Sequence, residues 1–378
     1  MANEQSFPSE QQVGVLEPVA YFHGAMPTGV TVSHKGQMFV NFPKWGDDVA
    51  FTVADIISEG GKIGAYPDDA INKTDPNDPA AAAATLISVQ SVVVDPADRL
   101  WILDTGSPMF QPTKYGGPKL VCVDLKTNKV VKKILFPQDV ALPTTYLNDI
   151  RFDLRRGKEG VAYITDSAQN GSNGIIVVDL ASGESWRKLH DHPSTKSEDI
   201  QSFLPIVEGR AFVVKQQQQK KHSVKLATNM GSDGLAISAT GELLYYCPLA
   251  SRKLYSASTQ ALINRSLDDQ SVSQTVRDEG DKGGASDGLE SDAEGRIYVT
   301  NYEHNSILRR SPEGEWETIV HDQRLLWPDT LSLASDGYLY VTANQLHRQA
   351  RFHNGQDLRT KPYTLFRIKV DAKPVLLR

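Results

Sequence analysis

One short pattern occurs six times in this chain of 378 residues, and that recurrence limits the architectures open to it more than any other feature. Its clearest copies are Ser286-Asp287-Gly288-Leu289 leading through Asp292 into Ile297-Tyr298-Val299-Thr300-Asn301, and Pro328-Asp329-Thr330-Leu331 leading through Asp336 into Leu339-Tyr340-Val341-Thr342-Ala343-Asn344. A third joins Ser232-Asp233-Gly234-Leu235 to Leu243-Leu244-Tyr245-Tyr246, and earlier copies begin at Pro27-Thr28-Gly29-Val30, Gln90-Ser91-Val92 and Asn148-Asp149-Ile150. Each reads as a β-hairpin: a short β-prone strand, a turn containing Gly and Asp, and a second strand rich in aromatic and β-branched residues.

The pattern positions Thr28, Gln90, Asp149, Asp233, Asp287 and Asp329 lie 62, 59, 84, 54 and 42 residues apart, and a four-stranded propeller blade takes about 40–50 residues. Pro18–Phe22 and Tyr363–Val370 read as strands at the two ends of the repeat region. The prediction is an all-β chain: a six-bladed β-propeller over residues 15–372, its ring closed by the N-terminal strand joining the last blade. Residues 1–14 form an extended or disordered lead and 373–378 a tail. A β-helix would need a shorter and stricter period. The 84-residue interval holds a long connection, in which Lys215–Lys221 reads as a solvated loop. Ala80–Ala84 reads as a short helical turn.

A net charge of −6 gives no reason to expect nucleic acid or an anionic membrane as partner. No apolar run approaches the ~18 residues of a membrane span. Met1–Gln12 lack the apolar stretch of a signal peptide. The compartment is periplasmic or extracellular if an export signal was removed, and cytoplasmic otherwise. Two distant cysteines, Cys122 and Cys247, exclude a disulfide scaffold or a cysteine-held metal cluster. No Walker loop, dinucleotide fingerprint or H-E-x-x-H occurs, so no nucleotide cofactor is expected. Gly284-Ala285-Ser286-Asp287-Gly288 matches G-x-S-x-G, but a nucleophile elbow needs a strand-turn-helix in a parallel α/β sheet, and there is no βαβ alternation.

In a propeller the first strand of each blade lines the central channel. The repeat therefore brings Thr28, Gln90, Asn148-Asp149, Asp233, Asp287 and Asp329 to one channel mouth. An antiparallel return places Asn301 beside Asp287, Asn344 beside Asp329 and Asp166 beside Asp149. Carboxylates facing one axis repel one another unless a cation sits among them or a raised pKa keeps one protonated. That cation is a metal or a substrate amine; hard oxygen donors suit Ca²⁺, Mg²⁺ or Mn²⁺. Asp before Gly also caps turns with no further role. His304 and His347 follow second strands on the same side and are candidate acid–base groups. Trp45, Tyr302 and Trp327 are candidates for an apolar wall around a ring-shaped ligand.

The segments Phe42-Pro43-Lys44-Trp45, Leu103-Asp104-Thr105-Gly106, Tyr146-Leu147-Asn148-Asp149, Tyr163-Ile164-Thr165-Asp166-Ser167, Leu326-Trp327-Pro328-Asp329-Thr330-Leu331 and Val341-Thr342-Ala343-Asn344-Gln345-Leu346 span almost the whole chain. In them the chain resembles the major royal jelly protein / Yellow family, its bacterial members in particular, and more distantly the gluconolactonase / senescence-marker-protein group. The resemblance implies a six-bladed propeller. For function it implies a diverse set: nutritional or structural proteins, amine binders, and Yellow-type members linked to dopachrome tautomerisation. The more distant group holds one divalent metal (Ca, Mn, Mg or Zn); carried over by motif, its ligands here are Asn148, Asp233 and Asp287. That group's first-blade Glu is missing, since Thr28 stands there.

Three functions are expected on these grounds. The first is an enzyme acting on a small cyclic polar substrate, with Asp149, Asp233, Asp287 and Asp329 as its catalytic carboxyls. It would be a metal-assisted lactonase-type hydrolase or a tautomerase in which Asn301 or Asn344 holds an enolate oxygen. Thr28, Gln90, Trp327, Tyr302 and His304 would contact the ligand. The second is a binding protein whose acidic rim pairs with an amine. The third is a structural or interaction role.

Overall fold

The computed structural model describes residues 11–58, 61–74, 78–218 and 221–378. Six four-stranded antiparallel sheets stand radially around one axis. Their innermost strands are Val30–Val32, Val89–Val94, Leu147–Asp153, Ser232–Ile237, Leu289–Ser291 and Pro328–Leu333. Each packs against the next and the sixth against the first, so the ring is closed. Glu17–Phe22 forms the outer strand of the sixth blade, paired with Tyr363–Lys369. The predicted closure is therefore the one observed. It leaves the N-terminal strand as the last blade's outer edge and ties the two ends of the chain together.

The hairpin turns of the second, fifth and sixth blades are held by one recurring Asp. Asp292 accepts from the backbone N of Glu294 and Arg296, from Arg296 Nε, and from the Tyr298 hydroxyl at 2.8 Å. Asp95 does the same in the second blade, with Arg99 Nε and Trp101 Nε1 each at 2.7 Å. Asp336 holds the Tyr340 hydroxyl at 2.8 Å. An aromatic with a polar tip recurs here because its ring packs between sheets while the tip closes the turn. Asp292→Ala leaves the buried Tyr298 hydroxyl and Arg296 Nε without their acceptor, with an expected cost of about 1–3 kcal/mol in urea denaturation; a loss below ~0.5 kcal/mol would contradict this account.

Two hairpins are inserted between the third and fourth blades: Ile206–Val207 with Arg210–Ala211, and Val213–Gln218 with Lys221–Leu226. The tract Lys215–Lys221, expected as a loop, thus supplies strand, with residues 219 and 220 outside the described residues. A two-stranded ribbon satisfies its own backbone groups, so polar side chains do not prevent it from forming. The Ala80–Ala84 turn is helical, within Pro79–Ala84.

At the chain ends, residues 1–10 lie outside the described residues, and Val13 exchanges both backbone hydrogen bonds with His321 on the fifth blade. Residues 373–378, expected as a tail, run across the lower face of the ring. Ala293 N donates to Lys373 O and Leu154 N to Leu377 O, and Leu377 is buried. Among the described residues no helix is long and apolar enough to cross a membrane.

Candidate functional site at the upper channel mouth

The innermost strands approach one another so closely that side chains are excluded at set positions. A Cβ on Gly234 would lie 2.2 Å from Asp287 O, and one on Gly288 would lie 2.3 Å from Asp329 O. This is why Asp-Gly recurs: the glycine lets the next blade's backbone pass, and the G-x-S-x-G match reflects that packing. Threonines on the second strands tie blade to blade. Thr165 Oγ1 donates to Asp233 O at 2.7 Å and Thr342 Oγ1 to Thr28 O at 2.5 Å. Four innermost strands slip register at the pattern position, between Val89 and Ser91, Leu147 and Ile150, Ser232 and Leu235, and Pro328 and Leu331. Such bulges re-aim a side chain beside a site.

All four acidic positions are buried, and Asp233, Asp287 and Asp329 each sense others among the four. Burial above all, then the charges of Asp329 and Asp149, push the Asp233 carboxyl well above the ordinary range. Burial and Asp233 do the same to Asp287; burial and Asp287 do it to Asp329. Asp233 and Asp287 act directly on each other's proton affinity, and two buried carboxyls so placed favour holding a proton over ionising together. Asp287 Oδ2 also accepts from Trp327 Nε1 at 2.7 Å, and Asp329 Oδ2 from Asn344 Nδ2 at 2.6 Å.

Asp149 differs from the other three because it has a cation. Arg151 Nη1 lies 2.7 Å from its Oδ1, while Arg151 Nη2 reaches across to Leu289 O in the fifth blade at 2.6 Å. Arg151 Nε lies 3.9 Å from Glu290 and has no hydrogen-bond partner among the described residues. This guanidinium spans the channel from third blade to fifth and forms the chamber's floor. Below it a second cavity is covered by Pro374, Val375 and Leu376. Sequence reasoning missed Arg151. Its place two residues beyond Asp149 on one strand, hence on the same face, was the signal available.

The inserted hairpins roof the chamber. Phe212 meets Trp327 with ring centroids 5.4 Å apart, and Trp327 lies flat on Tyr302 at 4.1 Å. Trp327 holds φ at 56°, a costly backbone for a bulky residue and one that clusters at functional sites. Glu208 in the insertion accepts from His347 Nε2 at 2.7 Å and from Arg348 Nε at 2.9 Å, latching the roof. Burial pushes His347 down to about 4, so it is a neutral clamp stacked on Trp327.

Of the other expected site residues, Gln90 lies on the channel wall, where its Oε1 accepts from the Tyr146 hydroxyl at 3.0 Å; that hydroxyl accepts from Trp45 Nε1 at 2.8 Å. Asn148 is buried on the innermost strand beside Asp149. Thr28 is committed to the wall, donating to Gln90 O and accepting from Asn41. Asn301 caps a turn through Gly283 O and the backbone N of Glu303 and His304, and the Tyr302 hydroxyl donates to Leu249 O. His304 is exposed and lines a surface cavity with Glu208, Glu303 and Arg348, apart from the carboxyls.

The donors do not fit a divalent metal on Asn148, Asp233 and Asp287. Asp287 Oδ2 already accepts from the Trp327 indole, and Thr28 brings no carboxylate. Among the described residues no three His, Cys, Asp or Glu side chains are grouped to hold an ion.

Comparison with known proteins agrees with this architecture. Major royal jelly protein 7 of Apis mellifera is 29% identical over 192 residues, covering 50% of this chain and 38% of that protein. Protein yellow of Drosophila pseudoobscura pseudoobscura is 28% identical over 247 residues, 63% of this chain and 40% of that protein. The chain thus spans less than half the length of these curated relatives. Among solved structures, a calcium-binding protein, regucalcin, from Agrobacterium tumefaciens superposes with a TM-score of 0.55 at 14% identity, over 95% of this chain and 99% of that one. A gluconolactonase from Xanthomonas campestris gives 0.53 at 11%, over 96% and 98%. At such identities these structures establish the fold alone. The profile of the family described as "Major royal jelly protein" matches residues 87–373, and on that extent the chain belongs to the major royal jelly protein family.

Proposed function

We propose that the protein is an enzyme that moves a proton within a small cyclic substrate, a tautomerase or related isomerase. What supports this reading is the pair Asp233 and Asp287, two buried carboxyls whose burial and mutual influence hold their proton affinity well above the ordinary range. A carboxyl pair of this kind holds an acid and a base side by side at neutral pH. Asp233, as carboxylate, takes a proton from the carbon next to a carbonyl; Asp287 gives its proton to the carbonyl oxygen, yielding the enol. The reverse transfers at another carbon complete the isomerisation with no net loss of protons. Trp327 keeps Asp287 oriented, and Asp329 raises the proton affinity of its neighbours. A metal-assisted lactonase has less support, because the donors do not match an ion.

The test is exchange of α-protons for deuterium in enolisable cyclic ketones, followed by NMR in D2O. Acceleration by the native protein and a loss of about 10²–10⁴-fold in Asp287→Asn are expected from removal of one acid–base group. No acceleration on any ketone, or equal rates in the variant, would end the proposal. A second reading has its own observation. Asp233, Asp287 and Asp329 have no Lys or Arg partner in any ion pair among the described residues, so an amine could take the proton's place. Amine binding without exchange would favour it.

A further inference from the structure

Between the second and third blades, beside the acidic chamber, lies a cavity of about 200 Å³ whose lining side chains carry no charge. Phe110 and Tyr146 form its aromatic wall with ring centroids 4.9 Å apart, and Trp45 stacks on Phe110 at 5.2 Å. Met109 and Phe110 hold φ at 53° and 56°, so two consecutive bulky residues keep a costly backbone to present that ring. Gln111, Gln169 and Asn170 add side-chain amides at the rim that make no hydrogen bond to another described residue, and Gln169 is held only by its backbone carbonyl, 2.6 Å from Asn229 Nδ2. Tyr146 connects the two spaces. Its ring lines the cavity, its hydroxyl reaches Gln90 on the channel wall at 3.0 Å, and it senses the Asp233 and Asp329 charges.

We propose that this cavity is the access subsite of the chamber and takes an uncharged, polyhydroxylated ring, a monosaccharide or a neutral derivative of one. The inference deepens the proton-transfer reading by naming the substrate's chemistry, and rests on that reading for the reaction after binding. An aromatic face packs against the C–H face of such a ring, and amides both donate and accept, as hydroxyls require. The volume is below the ~300–1,000 Å³ of sites for drug-sized ligands and suits one ring. No lining group offers a counter-ion for carboxylate, phosphate or ammonium. Arg351, over the faces of Phe110 at 5.1 Å and Trp45 at 5.8 Å, already occupies the cation-binding faces that an amine would use.

The experiment is a ligand-observed NMR titration with glucose, galactose and myo-inositol, set against gluconate and phenethylamine. At least one neutral probe is expected to bind with a dissociation constant of ~1 mM, the weak affinity of a single-ring subsite. Asn170→Ala, on an exposed segment, should weaken it about five-fold, the factor for one hydrogen bond. Phe110→Gly, which keeps the left-handed backbone, should weaken it further while thermal unfolding stays cooperative. Asp287→Asn should leave this affinity within about two-fold, so failure of the subsite and failure of the proton-transfer chemistry are read separately. Absence of binding by every neutral probe at about ten times that concentration, tighter binding of gluconate or phenethylamine, or an unaltered affinity in both Phe110→Gly and Asn170→Ala would overturn the proposal.

Discussion

Arg151→Ala is expected to cost about 3–5 kcal/mol of folding stability, the loss typical when one partner of a buried ion pair is removed. Arg151 and Asp149 are buried, and Glu290 on the other side of Arg151 is half-buried. Without the guanidinium, both carboxyls stay in the channel with no cation, and the carbonyls of Ile150 and Leu289 lose their donor. The loss should depend on pH in a defined direction. Burial already raises Asp149 and Glu290 against the opposing pull of Arg151, and deleting Arg151 raises them further. A carboxyl whose folded pKa lies above its unfolded one stabilises the protein below the unfolded value, and that contribution is lost as pH rises through the folded value. The deficit should therefore be largest at neutral pH and shrink toward pH 4. Urea denaturation at several pH values measures it. A deficit below about 1 kcal/mol at every pH would mean that the pair is not sealed from water.

Asp287→Asn should make the protein more stable while removing its proposed chemistry. The amide keeps both contacts: its oxygen accepts from Trp327 Nε1 and its nitrogen donates to Asp233, as the protonated carboxyl does. What the variant loses is the need to hold a proton. Asp233, Asp287 and Asp329 all bind protons more tightly folded than unfolded. The native protein's stability from this cluster is thus complete below the ordinary carboxylate range and declines as pH rises toward the raised values. The variant should gain about 0.5–2 kcal/mol at and above neutral pH, the scale on which a site's stability is exchanged for activity. At pH 4 the two proteins should unfold alike. Equal thermal stability across the whole range would show that the pair is not under electrostatic strain.

The architecture was legible because several blades repeat the same local instructions. Asp-Gly marks close passage of the next strand, and an Asp two to six residues before an arginine, aromatic or both marks the turn. Six copies at propeller spacing leave few alternatives, and the ring of Asp149, Asp233, Asp287 and Asp329 follows from their register. Less legible was what each side chain does once there. Asn301 and Thr28 stand at the right positions in the repeat but spend their polar groups on neighbouring backbone or side chains, a choice made by contacts outside their own hairpin. His304 sits one turn beyond its strand and faces outward. The roof was illegible for a different reason: Phe212 reaches Trp327 from an insertion that belongs to no repeat, and the period carries no information about where an insertion folds back.

Arg151 bridges the channel from the third blade to the fifth, and Pro374–Leu376 cover the cavity beyond it, so the lower side of the acidic cluster is obstructed. Under the proposed reaction, a product would leave on the side by which its precursor enters, so traffic would be sequential and the two species would compete for the same corridor. Accumulating product should then slow the reaction by blocking arrival, and the residues bordering that corridor would govern turnover as strongly as those that handle the proton.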